Sequence, residues 1–157
     1  MVTAGLFAAV FAAMYAAHQV ADHWVQTPRQ AAVKGLPGWP GRRACAGHVA
    51  ALTVTAAAAI AVTAAVTGAP VRLLPAVLGL AVNAASHYAA DRRRPLLALA
   101  EWLGATVVPG KAEFWHLGGP RPGRDDNPGL GTGAYALDQS WHIAWLFASA
   151  LIIAGGA

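Results

Sequence analysis

Four stretches of this chain contain no aspartate, glutamate, lysine or arginine: residues 1–21, 49–71, 73–90 and 143–157. Runs of that length approach the ~20 apolar residues an α-helix needs to cross a bilayer. Ordinary soluble domains carry about 25% charged residues, whereas this chain carries 11%, with 57% hydrophobic residues. A soluble fold fits this pattern badly. The chain reads as an all-α integral membrane protein forming one membrane domain over residues 1–157.

The pattern predicts a bundle of four transmembrane helices, over about 3–24, 44–67, 71–91 and 135–154. A further apolar segment over about 95–108 is too short to span, so it is expected as an interfacial or re-entrant helix. Residues 117–134 are rich in glycine and proline and predict an irregular loop. The first apolar run lacks the basic start of a cleaved signal peptide and leads into His18, Asp22 and Gln26, so it reads as a retained helix. The single Cys45 excludes an intramolecular disulfide.

Basic residues sort by loop. Arg29, Lys34, Arg42 and Arg43 fall in the first loop, and Arg92, Arg93, Arg94, Lys111, Arg121 and Arg124 in the third; Arg72 alone falls in the second. Positive charge concentrates on the cytoplasmic side of membrane proteins, so both termini are expected outside. Trp24, Trp39, Trp102, Trp115 and Trp141 fall near the same boundary, as an aromatic belt does. The basic balance follows topology, and no nucleic-acid partner is expected.

Against this apolar background, three histidine–aspartate pairs stand at i,i+4: His18/Asp22, His87/Asp91 and Asp138/His142. That spacing places both side chains of a pair on one helix face. Ionisable groups within a bilayer are costly and mark sites. On the expected topology the first and third spans run toward the cytoplasm and the fourth away from it. The reversed order of Asp138 and His142 therefore restores one spatial order, aspartate shallow and histidine a turn deeper. His48 joins the layer from the second span, a turn inside Arg43.

Neutral imidazole and carboxylate are the usual ligands of zinc, iron or manganese. His18, His48, His87 and His142 are the candidate ligands for one or two divalent ions, and Asp22, Asp91 and Asp138 the candidate catalytic carboxylates, some of them shared with the metal. Gln26, Asn83 and Gln139 are candidates for orienting substrate or water. Arg92, Arg93 and Arg94 set topology and could receive an anionic headgroup. Any single pair taken alone reads more simply as a hydrogen bond or ion pair within one turn, or as polar glue between helices; the shared layer is what points to a site.

The series His18-x-x-x-Asp22-x-x-x-Gln26, His48, His87-x-x-x-Asp91 and Asp138-Gln139-x-x-His142 resembles the bacterial membrane-protein family designated domain of unknown function 3307. The stretch from Leu130 to His142 looks like its actinobacterial branch. The resemblance covers nearly the whole chain and implies a small multi-pass protein of the bacterial plasma membrane. There is also a likeness in kind to membrane-bound metal-dependent hydrolases with intramembrane histidines and aspartates.

The leading expectation is a metal-dependent hydrolase acting on a lipid or lipid-linked substrate at the cytoplasmic leaflet, with membrane lipids as its surroundings. A proton- or ion-coupled transporter ranks second, because beyond His142 the fourth span offers only Ser149 as a clearly polar side chain. A scaffold that uses the polar layer as helix glue is the third.

Overall fold

A computed structural model describes residues 4–119 and 131–156. Most of the glycine- and proline-rich loop, with Arg121 and Arg124, lies outside the described residues. Those described are helical, with no strand among them: α1 (Ala4–Val20) continuing into a π-helical turn (Ala21–Val25), α2 (Pro28–Val33), α3 (Gly38–Thr67), α4 (Leu73–Asp91), α5 (Arg94–Thr106), α6 (Lys111–His116) and α7 (Gly133–Gly155).

Three segments are long and apolar enough to cross a membrane: Ala4–Val25, Gly38–Thr67 and Leu73–Asp91. Between 22% and 33% of their apolar windows is buried inside the protein. The remainder faces outward and includes Val54, Val66, Leu73 and Leu74. So large an unpartnered apolar surface suits lipid rather than water. Thr53, Thr55 and Thr67 donate their hydroxyls to the carbonyls of Val49, Ala51 and Thr63, four residues back, so these three donors are satisfied within the helix. α7 has 23 residues but is less apolar, because Asp138, Gln139 and His142 occupy its first half.

The four long helices close a ring. α1 packs against α3 and α7, α3 against α4, and α4 most extensively against α7. Each helix turns one stripe inward. On α1 the stripe runs Leu6, Val10, Met14, Ala17 and His18; on α7 it runs back from Ala154, Ile153, Ala150 and Leu146 to His142. One end of the bundle is therefore an apolar core of Leu6, Val10, Met14, Ile60, Leu146 and Ile153, and the other holds the histidines. Gly79 permits the close approach of α4 and α7: a Cβ there would lie 2.5 Å from Ile153 Cγ1 and 2.9 Å from the Ser149 carbonyl.

Two local features differ from the sequence expectation. α3 begins at Gly38, before Arg42 and Arg43, since Pro37 caps the helix and Pro40 sits in its first turn, where no amide partner is required. The segment before it contains α2, nucleated by a capping box: Thr27 Oγ1 accepts from the Gln30 amide at 3.2 Å, and Gln30 Oε1 accepts from the Thr27 amide at 2.9 Å. The short apolar segment expected over 95–108 is helical as α5, burying Leu96 and Ala100.

Candidate metal centre

At the polar end of the bundle the four histidines converge. Ring centroids are 5.0 Å apart for His18/His142, 5.4 Å for His18/His87, 5.1 Å for His48/His87 and 3.9 Å for His87/His142, the last pair stacked. All four are buried. Asp22 enters from the π-helical turn, where the Gln26 amide reaches back five residues to the Ala21 carbonyl at 2.8 Å. The wider turn is a recurrent device at functional sites. Here it carries a carboxylate into the space between α1 and α3.

The tightest group is a set of four donor atoms. His48 Nε2 and His87 Nε2 lie 3.1 Å apart. Asp22 Oδ1 lies 3.2 Å from His48 Nε2 and 3.7 Å from His87 Nε2. Asp91 Oδ2 lies 3.5 Å and 3.3 Å from the same two nitrogens. Ligands held ~2.0–2.2 Å from a tetrahedral ion are themselves about 3.3–3.6 Å apart. The five distances, 3.1–3.7 Å, bracket that spacing, and the ligand atoms of His48, His87 and Asp91 form one group within 4.8 Å.

The other oxygen of each carboxylate points elsewhere. Asp22 Oδ2 lies 3.7 Å from His18 Nε2. Asp91 Oδ1 pairs with Lys34 Nζ at 2.7 Å and lies 4.0 Å from His142 Nε2. His142 Nε2 is 3.4 Å from Asp138 Oδ1, and Gln139 donates to Asp138 Oδ2 at 3.3 Å. Asp138 is 27% exposed, against 2% for Asp91, so it is the carboxylate open to water.

Five buried atoms of this cluster, His18 Nε2, Asp22 Oδ1, His48 Nδ1, Asp91 Oδ2 and His142 Nε2, have no partner in hydrogen-bond geometry among the described residues. A buried acceptor without a partner costs about 1–3 kcal/mol, and here several share one small volume. A cation between His48 and His87 would give the Asp22 and Asp91 oxygens a partner. With neutral imidazoles, Asp22, Asp91 and Asp138 formally bring three negative charges and Lys34 returns one positive charge, so the net charge matches a divalent ion. Three His/Asp groups have ligand atoms within 4.8 Å of one another: His18, Asp22 and His87; His48, His87 and Asp91; Asp91, Asp138 and His142.

The sequence expectations fall into three sets. The four histidines and three aspartates come together. Asn83 is buried in α4 and Gln26 ends the π-helical turn; the amide nitrogen of each is buried with no hydrogen-bond partner among the described residues. Of the arginines, Arg92 donates to the Lys34 carbonyl at 2.5 Å and the Leu36 carbonyl at 2.6 Å, Arg93 lies over Gly35, and Arg94 lines a separate cavity. Cys45 stays outside the cluster, its thiol 3.7 Å from the Tyr88 carbonyl.

Sequence reasoning missed Lys34. As one lysine in a basic loop it reads as a topology charge. Only the Thr27/Gln30 capping box hints that its segment is ordered.

Fold and site together define a helical protein with three segments long and apolar enough to cross a membrane and a buried His/Asp cluster whose spacing suits a metal ion. Comparison with protein-family models, curated proteins and solved structures returned no match.

Proposed function

We propose that the chain is a metal-dependent membrane hydrolase whose centre is the His/Asp cluster. The carrying observation is the set of five donor–donor distances, 3.1–3.7 Å, among Asp22, His48, His87 and Asp91. These four would hold a zinc, iron or manganese ion, with His18 and His142 flanking it or completing a second site through Asp91 and Asp138. A divalent ion in such a place supplies a Lewis acid for a carbonyl or phosphoryl oxygen and an acidified water.

The chain's own groups divide the remaining work. Lys34 fixes one oxygen of Asp91 and leaves the other facing His48 and His87. Asp138, the water-accessible carboxylate, backs His142 as proton acceptor. Gln139 orients Asp138. In this reading α7 is the fourth span, α5 lies at the interface, the basic segments face the cytoplasm and the substrate comes from that leaflet as a lipid or lipid-linked compound. Membership of the family of unknown function 3307 belongs to the same proposal.

A second reading, a proton or ion path, draws support from Asn83 Nδ2 and Ser149 Oγ. Both are buried with no hydrogen-bond partner among the described residues, Asn83 one turn from His87 in α4 and Ser149 about two turns from His142 in α7. The test for both is one preparation. Purified protein should carry about one or two equivalents of transition metal and hydrolyse lipid esters or phosphoesters in a chelator-sensitive manner. Metal-free protein that conducts protons in liposomes would replace the first reading by the second.

A further inference from the structure

Beside the His/Asp cluster, and outside it, an open cavity of 510 Å³ is lined by Arg42, Tyr88, Arg92, Arg94 and the turn around Gly35 and Gly38. Its architecture begins at the end of α4. Arg93 has φ 60° and ψ −47°, and the Arg94 amide donates to the Arg92 carbonyl at 2.6 Å. This is a γ-turn with positive φ, rare and strained for a residue with a side chain. It reverses the chain within one residue and leaves Arg92 and Arg94 both on the cavity.

The opposite wall is fixed by the same arginine. Arg92 holds the carbonyls of Lys34 and Leu36, and Gly41 fits beneath them because a Cβ there would collide with the Leu36 carbonyl and approach Arg92 Nη1 to 2.6 Å. Arg42 reaches in from α3, its guanidinium 5.5 Å from the Trp39 ring.

Three arginines thus line one cavity, Arg92 with its guanidinium on the two carbonyls, and among the described residues no carboxylate forms an ion pair with Arg42, Arg92 or Arg94. Asp91, next to Arg92 in sequence, is committed to Lys34 and the histidines. Gathered like charges repel unless an anion joins them. Planar guanidinium forks suit a phosphate. The opening is flanked by Trp39, 68% exposed, and Leu36, 50% exposed, so the anion's surroundings include apolar surface.

We propose that this cavity binds the phosphate group of an anionic lipid. The site stands on the cavity alone; as the place where substrate meets the centre it names a phosphate-bearing lipid as the substrate class, and to that extent it rests on the metal-centre reading.

The test uses the full chain in phosphatidylcholine nanodiscs, with two probes: a graded share of phosphatidylglycerol, and inorganic phosphate. Arg42→Gln/Arg94→Gln removes two cavity charges while sparing Arg92, and Arg29→Gln/Arg72→Gln removes the same charge elsewhere. Retention of phosphatidylglycerol, counted by native mass spectrometry, should weaken about tenfold or more in the cavity variant and remain near wild type in the control. Competition by inorganic phosphate in wild type, lost in the cavity variant, supports the site with phosphate itself as the recognised group. Retention without such competition supports it with the whole lipid as ligand.

Equal weakening in both double variants, or none in either, overturns the proposal. Metal content measured on the same samples keeps the two readings apart. Lost lipid with full metal is the expected result for the cavity variant, and metal-free wild type that still retains lipid sinks the metal centre and leaves this site standing.

Discussion

The side chains of His48 and His87 meet nitrogen to nitrogen, Nε2 to Nε2, at 3.1 Å in the buried end of the bundle. Two ring nitrogens so placed either share one proton or turn their lone pairs to one cation. Asp22 and Asp91 stand on the same two nitrogens, each with an oxygen that has no partner in hydrogen-bond geometry among the described residues. The geometry therefore ranks the ring of polar groups: two histidines and two aspartates at the centre, with His18, His142, Asp138 and Lys34 around them.

That ranking yields an ordered series. His48→Ala and His87→Ala should abolish stoichiometric metal. His18→Ala and His142→Ala should weaken it by about 10–100-fold, the loss typical of groups that orient ligands. Chelator competition followed by elemental analysis reads the order. Equal losses across all four would place His18 and His142 among the ligands.

Lys34 carries a second expectation. Its Nζ lies 2.7 Å from Asp91 Oδ1, with the two side chains 13% and 2% exposed. Removing one partner of a buried pair leaves an uncompensated charge and costs about 3–5 kcal/mol. Lys34→Met should therefore lower the thermal midpoint of metal-free protein sharply and that of metal-loaded protein much less. A variant equally depressed in both forms would separate Lys34 from the centre.

Packing offers a third. A Cβ on Gly79 would press on Ile153 and the Ser149 carbonyl, whereas a Cβ on Gly5 meets nothing within 4 Å. Gly79→Ala should destabilise by about 1–3 kcal/mol and reduce metal occupancy, because α4 and α7 carry the stacked His87 and His142. Gly5→Ala should do neither. Thermal scans on the pair distinguish local overpacking from a general effect of added methyl groups.

The capping box gives the fourth. Thr27→Ala should cost about 1 kcal/mol and speed hydrogen exchange over Gln30–Lys34, where the Lys34 amide bonds the Gln30 carbonyl at 2.9 Å. Unchanged exchange would show that Arg92, bound to the Lys34 and Leu36 carbonyls, holds this segment without help from the cap.

Much of the site was legible in the sequence, since its signals are periodic. An i,i+4 pair on a charge-free run has one geometric meaning, and the reversed order of Asp138 and His142 places that pair level with the others. His48 followed from depth alone. What stayed hidden depends on tertiary placement. The division of oxygens between Asp22 and Asp91 has no spacing signature, and hydropathy does not report the five-residue hydrogen bond that widens the turn around Asp22. Lys34 and Arg42 sat in a run of basic residues with no period. Their roles arise only when α2 folds under Arg92 and α3 starts at Gly38.

X-ray absorption spectroscopy on purified wild-type protein, at the edge of whichever metal copurifies, tests the centre most directly. The expected spectrum shows nitrogen and oxygen ligands at about 2.0–2.2 Å, with outer-shell scattering from two imidazoles and no sulfur. His48→Ala/His87→Ala should lose the metal edge itself, because no stoichiometric metal should remain bound. A wild-type protein without stoichiometric metal after reconstitution with zinc, iron and manganese, or one whose metal is bound by sulfur, would contradict the assignment.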